Sequence, residues 1–153
     1  MTKKIKHLTI ALLWAGGLSS CSDKMDNNDP KKAILGKWEL VASHHEAYPA
    51  PEPVKPTHYF EFREDGVVVW YDYATGKYNE MRYWIEQTEY NPSFRHPVYK
   101  NKKWWHLYLQ FEPNRNNVSH SFYLTFFSEN RIGLVSAFIL SQFTIVDIYE
   151  RKK

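Results

Sequence analysis

Cysteine and long apolar runs are scarce in this chain of 153 residues. The only cysteine is Cys21, and without a second thiol the fold must be held together by packing rather than by an intrachain disulfide. One apolar run stands out, Leu8 to Leu18, and it is shorter than the roughly 20 residues that a bilayer core requires. A transmembrane helix is therefore a poor interpretation of this run.

An excess of charge of one sign is also missing from most of the chain. The formal net charge is +3, and it is accounted for by Lys3, Lys4 and Lys6, which lie in front of the apolar run. The rest of the chain is balanced, so it has no basic footprint for nucleic acid and no strongly basic face for a membrane surface.

Catalytic signatures are absent as well. The sequence contains no G-x-S-x-G, no H-E-x-x-H and no glycine-rich phosphate loop. His44, His45 and His58 have no spacing typical of a zinc site, and Glu61, Glu86 and Glu112 fit outward-facing, solvated carboxylates. We therefore predict a protein that is not an enzyme and that has no metal and no cofactor, and we rank a hydrolase low.

The N-terminal region carries the most specific signal. The basic segment, the apolar run and the small residues before Cys21 are typical of a secretory signal peptide. Leu18-Ser19-Ser20-Cys21 resembles the lipobox of bacterial lipoproteins, which implies cleavage before Cys21 and acylation of its thiol. The resemblance divides the chain into a signal peptide (1–20), a lipidated cysteine with a flexible tether (21–33) and a domain (34–153). Ser22 then favours the outer membrane as the location, on its periplasmic or its surface side. The alternative is a leftover thiol in an ordinary signal peptide.

The domain itself is typical of an all-β protein. Aromatic residues make up 17% of the chain, and aromatic and β-branched residues favour strands. Short alternating runs are separated by Gly, Pro, Asn and Asp, and a Pro-rich loop at 48–57 follows the first run. The predicted strands are 37–43, 58–63, 67–73, 78–88, 104–112, 119–127, 131–138 and 142–149. Eight hairpin-connected strands predict an antiparallel up-and-down barrel, with a two-sheet sandwich as the alternative.

A short motif at the start of the first strand and an arginine after the last strand connect this pattern to a protein family. Gly36-Lys37-Trp38 opens the first strand, and Arg151 follows the last. This resembles the lipocalin-like (calycin-type) domains of bacterial lipoproteins, in which a Gly-x-Trp motif begins strand one. The resemblance implies that Arg151 packs on Trp38 and closes the base of the barrel, with Gly36 as a structural residue, and that the Pro-rich loop covers the open end.

A barrel of eight strands holds either its own side chains or one small ligand. We predict a binding role for a small apolar or sugar-like ligand at the rim near the Pro-rich loop. The alternative function is an interaction or structural subunit of the envelope with a filled barrel, whose partner surface would include Trp70, Trp84 and Trp104. Since alternation in 67–73 is ambiguous, Trp70 is also the alternative to Tyr71 inside the barrel. The candidate ligand-binding residues are His44, His58, Phe60, Tyr71, Tyr73, Tyr83 and Leu107.

Overall fold

The computed structural model describes residues 29–45, 47–89, 97–111, 120–136 and 144–153. Cys21 and the predicted signal peptide lie outside the described residues. Within the described part, no helix is long and apolar enough to cross a membrane. The elements are α1 (Pro30–Ala33), β1 (Gly36–His45), β2 (Glu52–Pro53), β3 (His58–Phe62), β4 (Val67–Asp72), β5 (Lys77–Gln87), β6 (Trp105–Gln110), β7 (His120–Ser128), β8 (Arg131–Ser136) and β9 (Ile145–Lys152).

Eight of these strands close into an antiparallel barrel. The strand order is β1-β3-β4-β5-β6-β7-β8-β9, and β1 pairs with β9 to complete the ring. The predicted all-β, eight-stranded up-and-down barrel is therefore confirmed, and the sandwich is excluded. Closure leaves no strand edge exposed along the ring. We call the end where β1 begins the closed end and the end where β1 finishes the mouth.

The closed end is sealed by Trp38, Arg151 and the chain that precedes β1. Trp38 is fully buried, and the Arg151 guanidinium lies 4.3 Å from its ring centroid, which is the contact that the family resemblance implies. The Trp38 indole N–H donates to the carbonyl of Ile34 at 2.6 Å. Arg151 donates to the carbonyls of Leu35 and of Ala33, the latter at 2.8 Å. The side chains thus tie the chain before β1 to both barrel-closing strands.

The helix α1 is a difference from the sequence-based picture, which placed residues 21–33 in a flexible tether. The Asp29 side chain accepts hydrogen bonds from the backbone N–H groups of Lys31 and Lys32, and Pro30 occupies the first turn. An aspartate cap followed by proline is a helix-start signal. Residues 29–33 therefore belong to the folded domain, which was expected to start near Ile34, because this short segment packs under the barrel.

Apolar side chains fill the closed half of the interior. The fully buried members include Phe62, Val68, Leu107, Leu124 and Ile132. They come from different strands at alternating positions, as expected where successive side chains point to opposite faces of a sheet. The cavity among the rim-facing side chains therefore lies on the side of the mouth.

Strand β1 contains a β-bulge that changes which side chains face inward. Leu40 lies opposite Tyr149, whereas Ala42 lies opposite Ile148, so Val41 is an extra residue. A bulge inserts one residue and thereby reverses the alternation beyond it. Beyond the bulge, β2 from the Pro-rich loop pairs with β1 at Ala42 and Ser43. The loop therefore forms part of the barrel wall at the mouth.

A second apolar cluster lies on the outer wall, where the segment before β6 crosses the strands. It contains Tyr99 and Trp104 from that segment together with Val135, Val146 and Ile148. Tyr99 and Trp104 are 1% and 3% exposed. Part of the aromatic content thus covers the outside of the barrel instead of filling its interior.

Candidate functional site

A cavity of about 210 Å³ opens at the mouth of the barrel. Its wall combines rings, aliphatic side chains and a carboxylate from six different strands. Its lining residues are His58, Phe60, Trp70, Met81, Leu109, His120, Phe122, Asp147 and Tyr149. Ligand pockets are commonly about 300–1,000 Å³, so this cavity suits a compact ligand. It lies at the rim that the sequence analysis proposed for the binding site.

Hydrogen bonds across the mouth fix two of its polar side chains. His58 Nε2 lies 2.9 Å from the Tyr149 hydroxyl, and His58 Nδ1 lies 3.0 Å from the Thr57 hydroxyl. The Ser43 hydroxyl donates to Asp147 Oδ1 at 2.6 Å. These pairs join β3 and β9, and β1 and β9, so they hold the rim in one arrangement.

The Trp70 indole N–H is a polar group of a different kind. It is buried and has no hydrogen-bond partner among the described residues. A buried donor without an acceptor costs about 1–3 kcal/mol.

Burial sets the protonation of the histidine in the cavity. Desolvation lowers the pKa of His58, and the negative charges of Asp147 and Asp72 only partly oppose it. Burial likewise raises the pKa of Tyr149 well above its usual value. The His58–Tyr149 pair is therefore neutral near pH 7, and Asp147 provides the negative charge of the cavity wall.

Acidification is expected to destabilise the barrel. The pKa values of His58 and His106 are both lowered by burial in the folded chain, whereas an unfolded histidine titrates near pH 6.5, about its unperturbed value. The unfolded chain thus binds more protons, and the free energy of unfolding falls as the pH drops below about 6.5 toward the folded-state pKa values. Urea unfolding at pH 7.5 and 5.5 checks this. His58→Gln and His106→Gln should each remove part of the loss, and an undiminished loss in the double variant would contradict the assignment.

Two of the predicted ligand-binding residues line the cavity, and two lie below it. His58 and Phe60 are in the wall. Leu107 and Tyr83 face inward but belong to the filled half, where Leu107 is fully buried. The Tyr83 ring packs edge-on against Phe62, and its hydroxyl donates to the Arg63 carbonyl at 2.9 Å. Of these four residues, only His58 and Phe60 are placed to contact a ligand in the cavity.

The positions predicted for Tyr71, inside the barrel, and for Tyr73, at the opening, are wrong. The register of the β3–β4 hairpin pairs Trp70 with Phe60, so Trp70 faces inward and Tyr71 outward. On the outer wall, the Tyr71 ring stacks on Tyr59 at 5.0 Å. Tyr73 donates to Glu39 at 2.5 Å, and this hydrogen bond raises the pKa of Tyr73 to about 12. Trp70, the alternative left open by the alternation, takes the cavity position.

The position predicted for His44 is also wrong, because of the bulge in β1. His44 pairs with Val146 on the outer wall and is 1% exposed. Its ring lies 2.5 Å from the Tyr99 hydroxyl through Nδ1 and 2.9 Å from the Tyr48 carbonyl through Nε2. His44 therefore joins the outer cluster, and Ser43 takes the inward position at the rim.

The other cavity residues were missed by the sequence analysis. For Leu109 and Phe122, alternation in the sequence indicates on which face of the strand each side chain lies. It does not show how far along the barrel axis each side chain lies, because that depends on the stagger between strands. Asp147 could have been identified from the sequence, since a carboxylate between Val146 and Ile148 interrupts an apolar strand. Among the described residues, no group of three or more His, Cys, Asp or Glu side chains is placed to hold a metal ion.

Comparisons with known proteins do not assign the chain to a family. No protein-family model matches it, and no curated protein matches it at a significant level. The candidate site consequently has to be interpreted from its own geometry.

Proposed function

We propose that this protein is a lipid-anchored lipoprotein of the cell envelope whose barrel binds a small apolar or sugar-like ligand. The observation that carries the proposal is the cavity at the mouth, above a closed half filled with side chains. Pockets for small molecules are mostly apolar with a few placed polar groups, and this wall has that character. Asp147 would orient a ligand that bears a hydroxyl group.

The resemblance to lipocalin-like domains supports the same function. The sealed base with Arg151 over Trp38 and the open opposite end are the arrangement that this resemblance implies. The cavity also favours binding over the alternative of an interaction subunit, since that alternative assumed a filled barrel. Of its proposed partner surface, Trp104 is buried and Trp70 lines the cavity, which leaves Trp84 on the outer wall.

Ligand binding can be tested with a panel of single-ring aromatic compounds and monosaccharides. Protein NMR should show at least one compound shifting the resonances of Trp70 and Phe122. Met81→Phe, which fills the cavity from β5, should abolish the shifts. Tyr71→Phe, on the outer wall beside Trp70, is the matched control and should bind normally. Shifts that survive Met81→Phe would place binding elsewhere and overturn the proposal.

The proposed lipid anchor predicts where the protein is found in cells. The native chain should partition into the membrane and detergent fraction through acylated Cys21, because more than one acyl chain gives stable attachment. Cys21→Ala should be released or left unprocessed, whereas Ser22→Ala, at the next position, should keep the anchor. Cell fractionation and mass spectrometry measure both. A Cys21→Ala protein that is cleaved and still membrane-bound would contradict the anchor.

A further inference from the structure

The cavity has a one-sided charge. Asp147 lines it, and none of its described lining residues is lysine or arginine. Asp72 lies at the same rim, and its negative charge, like that of Asp147, acts on His58. His58 itself adds no positive charge near pH 7, because burial lowers its pKa. At the rim Asp72 pairs across the hairpin with Lys77, so the charge that a ligand meets inside the cavity is that of Asp147.

Aromatic rings make up most of the rest of the wall, alongside Met81 and Leu109. The ring centroids of Phe60 and Tyr149 are 5.7 Å apart, and the His58 centroid lies 5.4 Å from Phe60 and 6.1 Å from Trp70. Phe122 completes the wall on the side of β7. A cation within about 6 Å of such a ring is attracted by the negative face of its π-system. A cation held in this cavity would lie among several such rings.

The Asp147 carboxylate retains capacity to bind. Among the described residues, its hydrogen bond is the one from Ser43 to Oδ1. An ionised carboxylate has about four lone-pair sites on two oxygens. Ser43 therefore fixes the orientation of the carboxylate, and the remaining sites can accept from an ammonium group.

From these three features, we propose that the cavity selects a compact organic cation, a primary amine or a quaternary ammonium group on a short body. This inference rests on the proposed binding function and names the chemical class of the ligand. Carboxylate ligands such as fatty acids are disfavoured, because Asp147 would face a like charge without a compensating cation. Neutral ligands of the same shape would bind through apolar contact alone and hence more weakly.

Three probes of matched shape test the charge preference on the native protein: choline, its neutral carbon isostere 3,3-dimethylbutan-1-ol, and 3,3-dimethylbutanoate. NMR titration at pH 7.5 should give choline an affinity about tenfold or more above that of the alcohol. The carboxylate should bind more weakly than the alcohol. Asp147→Asn should remove most of the advantage of choline, whereas Glu150→Gln, the same charge change on the outer face of β9, should preserve it. Ser43→Ala, which keeps the charge, should preserve most of it.

The possible outcomes distinguish failure of the cation preference from failure of the proposed ligand-binding function. Equal or tighter binding of the alcohol, with shifts at Trp70 and Phe122, would overturn the cation preference and leave the ligand-binding cavity intact. A choline advantage that persists in folded Asp147→Asn would also overturn it. Failure of all three probes, together with failure of the aromatic and monosaccharide panel, would overturn both. Because the probe series uses the native chain, poor folding of a variant does not remove the test.

Discussion

Replacing Trp38 with alanine is expected to lower the free energy of unfolding by about 3–5 kcal/mol, the range for truncating a large buried aromatic side chain. Trp38 is fully buried, its N–H donates to the Ile34 carbonyl, and its ring carries the Arg151 guanidinium. The truncation therefore opens a cavity at the base and removes the surface on which Arg151 rests. Chemical denaturation monitored by circular dichroism measures the effect.

Trp84→Ala is the matched control for this loss. Trp84 is only partly buried and stacks on Tyr108 with ring centroids 5.0 Å apart on the outer wall. Losing that aromatic pair should cost about 0.5–1.5 kcal/mol beyond the buried area of the side chain. Equal losses in the two variants would mean that the base of the barrel contributes no more than its outer wall.

Replacing Gly36 with alanine is the second large expected effect, a loss of about 2–4 kcal/mol from backbone strain and disturbed hydrogen bonds. Gly36 has a φ of +104°, and a Cβ there would lie 2.9 Å from Arg151 Nη1. That nitrogen donates to the Leu35 carbonyl, so the methyl group displaces a bonded, partly buried guanidinium.

Gly76→Ala separates the strain from the clash. Gly76 has a φ of +65°, and its nearest potential neighbour is the Tyr71 hydroxyl at 3.9 Å. Gly76→Ala should lower the free energy of unfolding by only about 1–2 kcal/mol, the cost of placing a non-glycine residue in the left-handed region. If Gly36→Ala and Gly76→Ala prove equally destabilising, the close approach of Arg151 is not what requires glycine at the start of β1.

The elements of this barrel were predictable because strand signals are local. The clean alternation over Trp105 to Leu109 and the Asp65-Gly66 turn each depend on neighbouring residues only. The start of α1 was equally local, since Asp29-Pro30 is a cap signal, but the polar sequence around it favoured a tether. The Trp38–Arg151 contact joins distant positions, and it was reached through a resemblance rather than through periodicity.

The residues that line the cavity were only partly predictable. Alternation sorts the side chains of a strand onto two faces, but the pairing with neighbouring strands decides which face points into the barrel. His58, predicted near the opening, and Phe60, predicted deeper in, both line the cavity. Tyr71 went to the wrong face because every position from Val67 to Tyr71 is apolar or aromatic, so alternation could not choose between it and Trp70. The choice between Trp70 and Tyr71 as the inward-facing residue required the pairing of Phe60 with Trp70 across the β3–β4 hairpin.

The sequence by itself determined the positions of most strands and the tight turns between them. Local hydrophobic alternation and turn chemistry are sufficient for these. Only the tertiary structure decided the bulge at Val41 that moves His44 outward, the register that brings Trp70 inward, and the placement of Asp147 among aromatic rings. Each of these depends on which residues of separate strands lie opposite one another, and that is fixed when the whole ring packs and closes.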